Sequence, residues 1–321
     1  MHRAIIDALQ NPYGIGMALE LTDLRYFVAV AEEGHVTRAA ERLGMQQPPL
    51  SVRIKQLEAK LDIQLFHRRA RGMELTDAGR ALLHEARDVL KRLERAVDSS
   101  KSIARGLAGQ LRIGIAPTAP FHPFVPRSIR AFRSAYPEVI VTISEGLSNE
   151  VQRELVQRQS DVAFVRVRTM ADPELVTHVL LEEPLIAALP KSHRLALAKR
   201  EVLPSLKSLE SDAFVLYGPP GTGLYDETMR ACARAGFVPT VGQHAPRIAS
   251  TLGFVGAGMG VALVPDSMKH VAVDGVVYKR LPASVAAKVV MGLACRRHDS
   301  SAVVQNFVRQ VTALAQELQV S

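Results

Sequence analysis

Apolar positions recur at helical spacing in three short bursts near the start of the chain. Leu24, Phe27, Val28 and Ala31 share one face of a helix through LRYFVAVAEEG, with Thr22 or Asp23 as its cap and Gly34 as its stop. TRAAERL predicts a second helix, capped near Val36–Thr37 and stopped at Gly44. PPLSVRIKQLEAKL predicts a third. Pro48 and Pro49 suit its first turn, where N–H groups lack intrahelical partners, and Leu50, Ile54, Leu57 and Leu61 form its stripe. QLFHRRARGMELT then reads as two short extended pieces around a basic tip. Thr76 caps a long helix in which Leu83, Ala86, Leu90, Leu93, Val97, Ser100, Ala104 and Leu107 recur at alternating threes and fours. Such a helix of about 30 residues spans roughly 45 Å, and its seam calls for a second chain.

Beyond Gly106–Gly109 the pattern changes to strands alternating with helices. Strands are expected at 111–116, 139–146, 162–166, 185–190, 214–218, 260–265 and 289–295, and helices near 123–135, 148–158, 223–235, 247–257 and 300–318. This alternation implies parallel sheets covered by helices on both faces. One Rossmann-like sheet or two smaller lobes would both accommodate it. Hinge-like crossings at Glu183–Pro184–Leu185 and Leu281–Pro282–Ala283 favour two lobes, 111–183 with 284–321 and 184–283, around a cleft.

The spacing at the start carries chemistry. Ala40 lies four residues before Gly44 and Leu50 six after it, so a small residue falls where two helices cross, a glycine where the chain bends and an apolar residue where the next helix packs back. That is helix-turn-helix logic, and the third helix is the recognition helix. Gln46, Gln47 and Ser51 at its start suit base edges, Arg53 and Lys55 suit phosphates, and Arg68, Arg69 and Arg71 on the wing suit a backbone or minor groove.

Charge sharpens this reading. The 321 residues carry 40 Lys+Arg and 32 Asp+Glu, a net +8. Arg38–Arg71 alone holds eight basic residues against three acidic ones, net +5. A chain with 47% hydrophobic residues is not disordered, and two Cys exclude a disulfide scaffold and fit a reducing compartment. The longest nearly uncharged apolar run, Thr251–Pro265, is shorter than the ~20 residues that span a bilayer. The opening residues lack a signal-peptide core, so a cytoplasmic protein without membrane contact is expected.

Enzymatic motifs fail on inspection. GPPGTGLYD at Gly218–Asp226 matches an ATPase phosphate loop up to Gly223, but Leu224 and Tyr225 stand where Lys and Ser/Thr must hold phosphates and Mg²⁺. The turn opens a helix whose free N–H groups suit an anion instead. GAGMG precedes a strand instead of following one, no GxSxG occurs, and the His show no metal-ligand spacing. Cys232 and Cys295 read as buried thiols. No metal, cofactor or catalytic residue is expected. A redox-sensing regulator and a solute-binding protein are the alternatives to a DNA-binding switch.

From Met17 onward the chain resembles the LysR-type transcriptional regulators, through the AAERL helix, the QPPLS start of the recognition helix and the LF-R-R…LT-AG wing. Its nearest subgroup, by FVRVR, FVLYGP and GFVGAGMGVALVP, is the benzoate- and muconate-responsive one. The resemblance implies an all-α winged helix-turn-helix over 17–75, a linker and dimerisation helix over 76–110, and an α/β, two-lobed, periplasmic-binding-protein-like effector domain over 111–321. Met17 is the expected start, with 1–16 a flexible extension or a start-site artefact. The implied DNA contacts are Thr37, Arg38, Gln46, Gln47, Pro48, Pro49, Ser51, Val52, Arg53, Lys55, Arg68, Arg69 and Arg71. Gln47, Pro48 and Ser51 fall to base edges and Arg71 to the minor groove. The subgroup continues PPLSR, whereas here Val52 takes the Arg position, suited to a thymine methyl. The implied effector site is Thr118, Ala119, Ser148, Arg166, Gly223, Leu224, Tyr225, Arg247 and Ile248. Arg166 would pair with a carboxylate, and Leu224, Tyr225 and Ile248 would wall an apolar ring. The family further implies a homodimer through the linker helix, a homotetramer on bent double-stranded promoter DNA, a small organic acid effector, and RNA polymerase as a candidate partner.

Overall fold

The structure, a computed structural model, describes residues 19–69, 72–166, 172–285 and 287–320. The expected extension over 1–16 and the wing-tip Arg71 lie outside the described residues. The chain divides into two compact units that meet at Lys101/Ser102.

In the first unit, α1 (Leu21–Glu33), α2 (Val36–Arg42) and α3 (Gln47–Leu61) precede a hairpin of β1 (Phe66–Arg69) and β2 (Gly72–Leu75), and α4 (Asp77–Ala104) follows. The cap of α1 is Glu20, not Thr22 or Asp23. Asp23 instead occupies the third helical position. Its carboxylate turns back to accept the Glu20 N–H at 3.3 Å and pairs with Lys60 on α3 at 2.8 Å. His35 caps α2, and the bend into α3 runs through Gly44 at φ 64°, a conformation that favours glycine. Ala39 and Ala40 are fully buried where the helices cross. Leu50, Ile54 and Leu57 of α3 enter a core with Phe27 and Phe66, whose rings stand 5.4 Å apart. Each such side chain contributes ~2 kcal/mol by leaving water.

The hairpin is antiparallel, with Phe66 opposite Leu75 and Arg69 opposite Gly72. Thr76 caps α4 as expected, its hydroxyl accepting the Gly79 N–H at 2.9 Å. Leu82, Leu83, Ala86 and Leu90 pack against the first unit's core, whereas Val89, Val97 and Ile103 are exposed. Leu107 lies past the end of the helix at Ala104, so the seam is one position shorter than its spacing suggested.

The second unit is two-lobed. The strands of its main sheet are β3 (Ala108–Ile115), β4 (Glu138–Glu145), β5 (Val162–Val165), β6 (Leu175–Pro190), β9 (Ala262–Pro265), β10 (Val276–Arg280) and β11 (Lys288–Arg296). They form a seven-stranded sheet of order β10-β6-β11-β5-β3-β4, with β9 also paired to β6. A separate parallel pair joins β7 (Ala213–Tyr217) to β8 (Thr240–Ala245). The helices are α5 (Phe124–Ala135), α6 (Ser148–Val156), α7 (Gly223–Arg234), α8 (Ile248–Gly256) and α9 (Ala302–Val320).

The expectation of parallel sheets is corrected. Among the described strands, β3 runs parallel to β4 and β5, and β7 to β8; β11 is antiparallel to β5 and β6, and β6 to β9 and β10. The reason is topological. The chain passes from lobe I to lobe II along β6 and returns along β11, so the two crossing strands lie side by side in opposite directions. Up to Pro184, β6 pairs with β11; from Leu185 it pairs with β9 and β10. Two large cores result. One gathers Leu111, Ile113, Phe132, Phe164, Met291 and Phe307, and the other Leu189, Phe214, Leu224, Leu252 and Val264. A smaller cluster holds Val151 and Leu155 of α6 against Ala163, Val165, Leu175 and Ala294.

At Gly79 an ideal Cβ would stand 2.2 Å from the Leu65 carbonyl oxygen, a backbone atom. Gly79→Ala should therefore force α4 off the β1 segment and destabilise the first unit by about 1–3 kcal/mol. Urea unfolding followed by a probe in that unit would show the loss.

Candidate DNA interface and interlobe cleft

The start of α3 and the wing form one concave surface. Thr37, Gln47 and Ser51 line a cavity of about 290 Å³ together with Arg68 and Arg69 of β1. The helical start and the basic strand, separated in sequence, are thus neighbours. His35, Val36 and Met73 line the same cavity and are not among the contacts expected from the sequence; His35 is the N-cap of α2. Gln46, Pro48, Pro49, Val52, Arg53 and Lys55 are exposed along α3, with Val52 at 52%.

Not all of the local positive charge is open. Arg42 pairs with Glu32 at 2.8 Å, Lys60 with Asp23, and Arg69 with Glu74 at 2.8 Å. Arg38 donates to the Glu33 carbonyl at 2.7 Å. Hydrogen bonds from Arg87 and then Arg42 hold the Glu32 carboxyl below its ordinary range. The arginines of α2 and α4 therefore brace the helical frame through Glu32, leaving Arg53, Lys55 and Arg68 without an ion-pair partner among the described residues.

The second candidate site lies between the lobes. Ala116, Pro117 and Thr118 after β3, Leu147 before α6 and Arg166 after β5 meet Tyr217 at the end of β7 and Thr222, Gly223 and Leu224 at the start of α7. The cavity between them measures about 20 Å³, room for about one water. Arg166 is 4% exposed and Thr118 2%. The Arg166 Nε donates to Thr118 Oγ1 at 3.1 Å, Nη2 to the Thr118 carbonyl at 3.1 Å, and Nη1 to Glu183 Oε2 at 2.7 Å. The other Glu183 oxygen accepts the Ser267 N–H at 2.6 Å. Burial lowers the Arg166 pKa, and the Glu183 charge opposes that. Burial likewise pushes the His122 imidazole below its ordinary value, beside Glu183, Arg166 and Asp266.

Of the predicted effector residues, Thr118, Arg166, Gly223 and Leu224 line this cavity. Ala119, Tyr225, Arg247 and Ile248 do not: Ala119 is fully buried, Tyr225 stacks on His244 at 6.3 Å, Arg247 is exposed, and Ile248 belongs to the lobe II core. Ser148 opens α6 next to Leu147, and its side chain lies outside the described set. Tyr217, Thr222 and Leu147 were missed. Tyr217 carried a usable signal, since it ends a parallel strand, the edge where α/β folds gather ligands.

Other chemistries find little support. The glycine-rich turn offers less to an anion than its sequence suggested, because the Asp226 carboxylate already accepts the Gly221 N–H at 3.0 Å. Cys232 and Cys295 lie in different cores, and burial pushes their thiols up to about 12 and about 11. Among the described residues no group of His, Cys, Asp or Glu could hold a metal, and no helix is long and apolar enough to cross a membrane.

Comparison with known proteins covers both units. The lysR-family bacterial regulatory helix-turn-helix profile matches residues 21–80, and the LysR substrate binding domain profile matches residues 104–316. The HTH-type transcriptional regulator BudR of Raoultella terrigena is 36% identical over 90% of this chain and 99% of its own length. The crystal structure of full-length CbnR complexed with its target DNA superposes with a TM-score of 0.79 at 28% identity, over 92% of this chain and 100% of that one. Full-length BenM superposes at 0.57 with 29% identity, over 94% and 98%. Likeness to BenM and CbnR is consistent with the benzoate/muconate subgroup. With profiles matching both units and relatives that are transcriptional regulators and not enzymes, the chain belongs to the LysR family of DNA-binding transcriptional regulators.

Proposed function

We propose that this regulator reads a partly palindromic promoter in the cytoplasm as a dimer of dimers, and that a small aromatic or unsaturated carboxylate between its lobes alters how the dimers sit on bent DNA. On the DNA side, the observation that carries the reading is the single concavity shared by Gln47, Ser51 and Arg68. Gln47 and Ser51 within it and the exposed Pro48, with Gln46, Pro49 and Val52 beside them, address base edges. Arg53, Lys55, Thr37 and Arg38 address phosphates, and Arg68, Arg69 and Arg71 address the backbone or minor groove. The exposed Val89, Val97 and Ile103 of α4 support pairing with a second copy, since a lone helix of this length gains little from packing. Contact with RNA polymerase belongs to the same reading.

On the effector side, the carrying observation is Arg166. A guanidinium has five N–H donors, and the three bonds to Thr118 and Glu183 leave donors for a ligand carboxylate. The α7 N-terminus at Gly223 and Leu224 faces the same cavity and favours negative charge. A ring acid needs far more than 20 Å³, so its binding requires the lobes to part.

Gln47→Ala should relax sequence preference, whereas Lys55→Ala should weaken binding to all sequences alike; footprints in which both variants behave identically would sink the partition. Calorimetry on the full chain should detect binding of benzoate-like acids, and silence from all of them would count against the carboxylate. Glu183→Gln removes the competing charge. It should tighten benzoate severalfold while lowering the melting temperature, because Arg166 then lacks its buried counter-ion, a loss of about 3–5 kcal/mol.

A further inference from the structure

The cavity between the lobes holds one buried polar group that the fold does not satisfy. Tyr217 ends β7, is 7% exposed and lines the cavity from the lobe II side. Its hydroxyl has no hydrogen-bond partner among the described residues. A hydroxyl left so is costly, and native structures keep such groups for a reason. The hydroxyl oxygen is itself buried. Glu145 and Glu150 of lobe I, Arg166 at the end of β5 and Arg247 ahead of α8 all lie close enough to act on its ionisation. Those four residues belong to four different parts of the unit: β4, α6, the end of β5 and the N-cap of α8.

The other lobe II residues on the cavity offer less. Thr222 spends its hydroxyl proton on the Pro219 carbonyl at 2.8 Å, and Gly223 and Leu224 carry only backbone polarity. On the lobe I side, Arg166 and Thr118 are already joined to one another.

We infer that Tyr217 Oη is the lobe II anchor for the effector, donating to a neutral oxygen, a hydroxyl or a carbonyl, that the effector carries in addition to its carboxylate. The inference rests on the carboxylate reading above for the lobe I end. Charge decides the nature of the second group. Glu183 already balances Arg166, and of the other charges that act on the Tyr217 phenol two are acids, Glu145 and Glu150, and one is a cation, Arg247. A second carboxylate would meet these two acids with only Arg247 and the α7 N-terminus to set against them, whereas a neutral oxygen needs only a donor. Burial, with the nearby acids, holds the phenol un-ionised by pushing it up to about 12, so it donates throughout the ordinary pH range. A site built around such a donor rejects the analogue that lacks the acceptor.

The test is calorimetry on the full-length protein with benzoate and its 2-, 3- and 4-hydroxy isomers, on wild type and Tyr217→Phe, with melting of the unliganded proteins alongside. One hydroxybenzoate should bind wild type about tenfold tighter than benzoate. Tyr217→Phe should erase that gain, bringing the hydroxybenzoate to the affinity the variant shows for benzoate, and melt no lower than wild type because an unsatisfied polar atom has gone. The inference is overturned alone if a hydroxyl brings no gain in wild type, if the Phe variant keeps the preference, or if the variant melts lower and loses both acids equally, which marks a structural role. If no acid binds wild type, the carboxylate reading falls and takes this inference with it.

Discussion

A guanidinium and a carboxylate withdrawn from water persist only while they hold each other, and the effector unit is arranged around one such pair. Arg166 and Glu183 are both nearly inaccessible and stand 2.7 Å apart. Glu183 immediately precedes Pro184, where β6 exchanges its lobe I neighbour for its lobe II neighbours. Its second oxygen takes the Ser267 amide of lobe II, while the guanidinium takes Thr118 of lobe I. One ion pair therefore fixes the loop after β3, the end of β5, the crossing strand and the segment after β9. Removing either member leaves a buried charge, which costs far more than the pair contributes when intact.

In the first unit the governing constraint is close approach. Ala39, Ala40 and Gly79 have no bulk to spare, and the recognition helix and wing share a surface because helices and hairpin meet there almost backbone to backbone. Charge is allotted in two ways. Arg42, Arg87 and Lys60 are spent on acids within the domain, and Arg53, Lys55 and Arg68 face outward. The net +5 of the Arg38–Arg71 stretch overstates what a polyanion would meet.

Legibility followed periodicity. The helices of the first unit and the long α4 were readable because each has an apolar stripe and a cap or proline at its start; the cap of α1 was misplaced because Asp23 acts from inside the helix. Strands with continuous apolar runs, such as LRIGIA and VVMGLAC, were readable too. The first half of β6 was not, since His178, Glu182 and Glu183 interrupt its run, and Glu183 is buried only because Arg166 meets it. The polar β8 gave no apolar signal. At the cleft, Thr118 and Arg166 were found by motif. The commitment of Arg166 to Glu183 was invisible, because 17 residues of sequence separate partners brought together by the sheet. Tyr225 and Ile248 came with the family motif as walls of the pocket, and a motif does not reveal which side of a helix faces a cavity.

The discontinuity of lobe I has a consequence for how the protein is made. Its core combines residues from the first strands of the unit with Met291, Leu293 and Phe307, and the Phe307 ring closes edge-on against Phe132 at 5.0 Å and Phe164 at 6.1 Å. All of lobe II is translated between those parts. On a ribosome adding about 5–20 residues each second, lobe II has its own core available before lobe I can close. Until α9 emerges, Phe132 and Phe164 stay uncovered. The last stretch of the chain to be synthesised thus seals the half of the effector unit that began first.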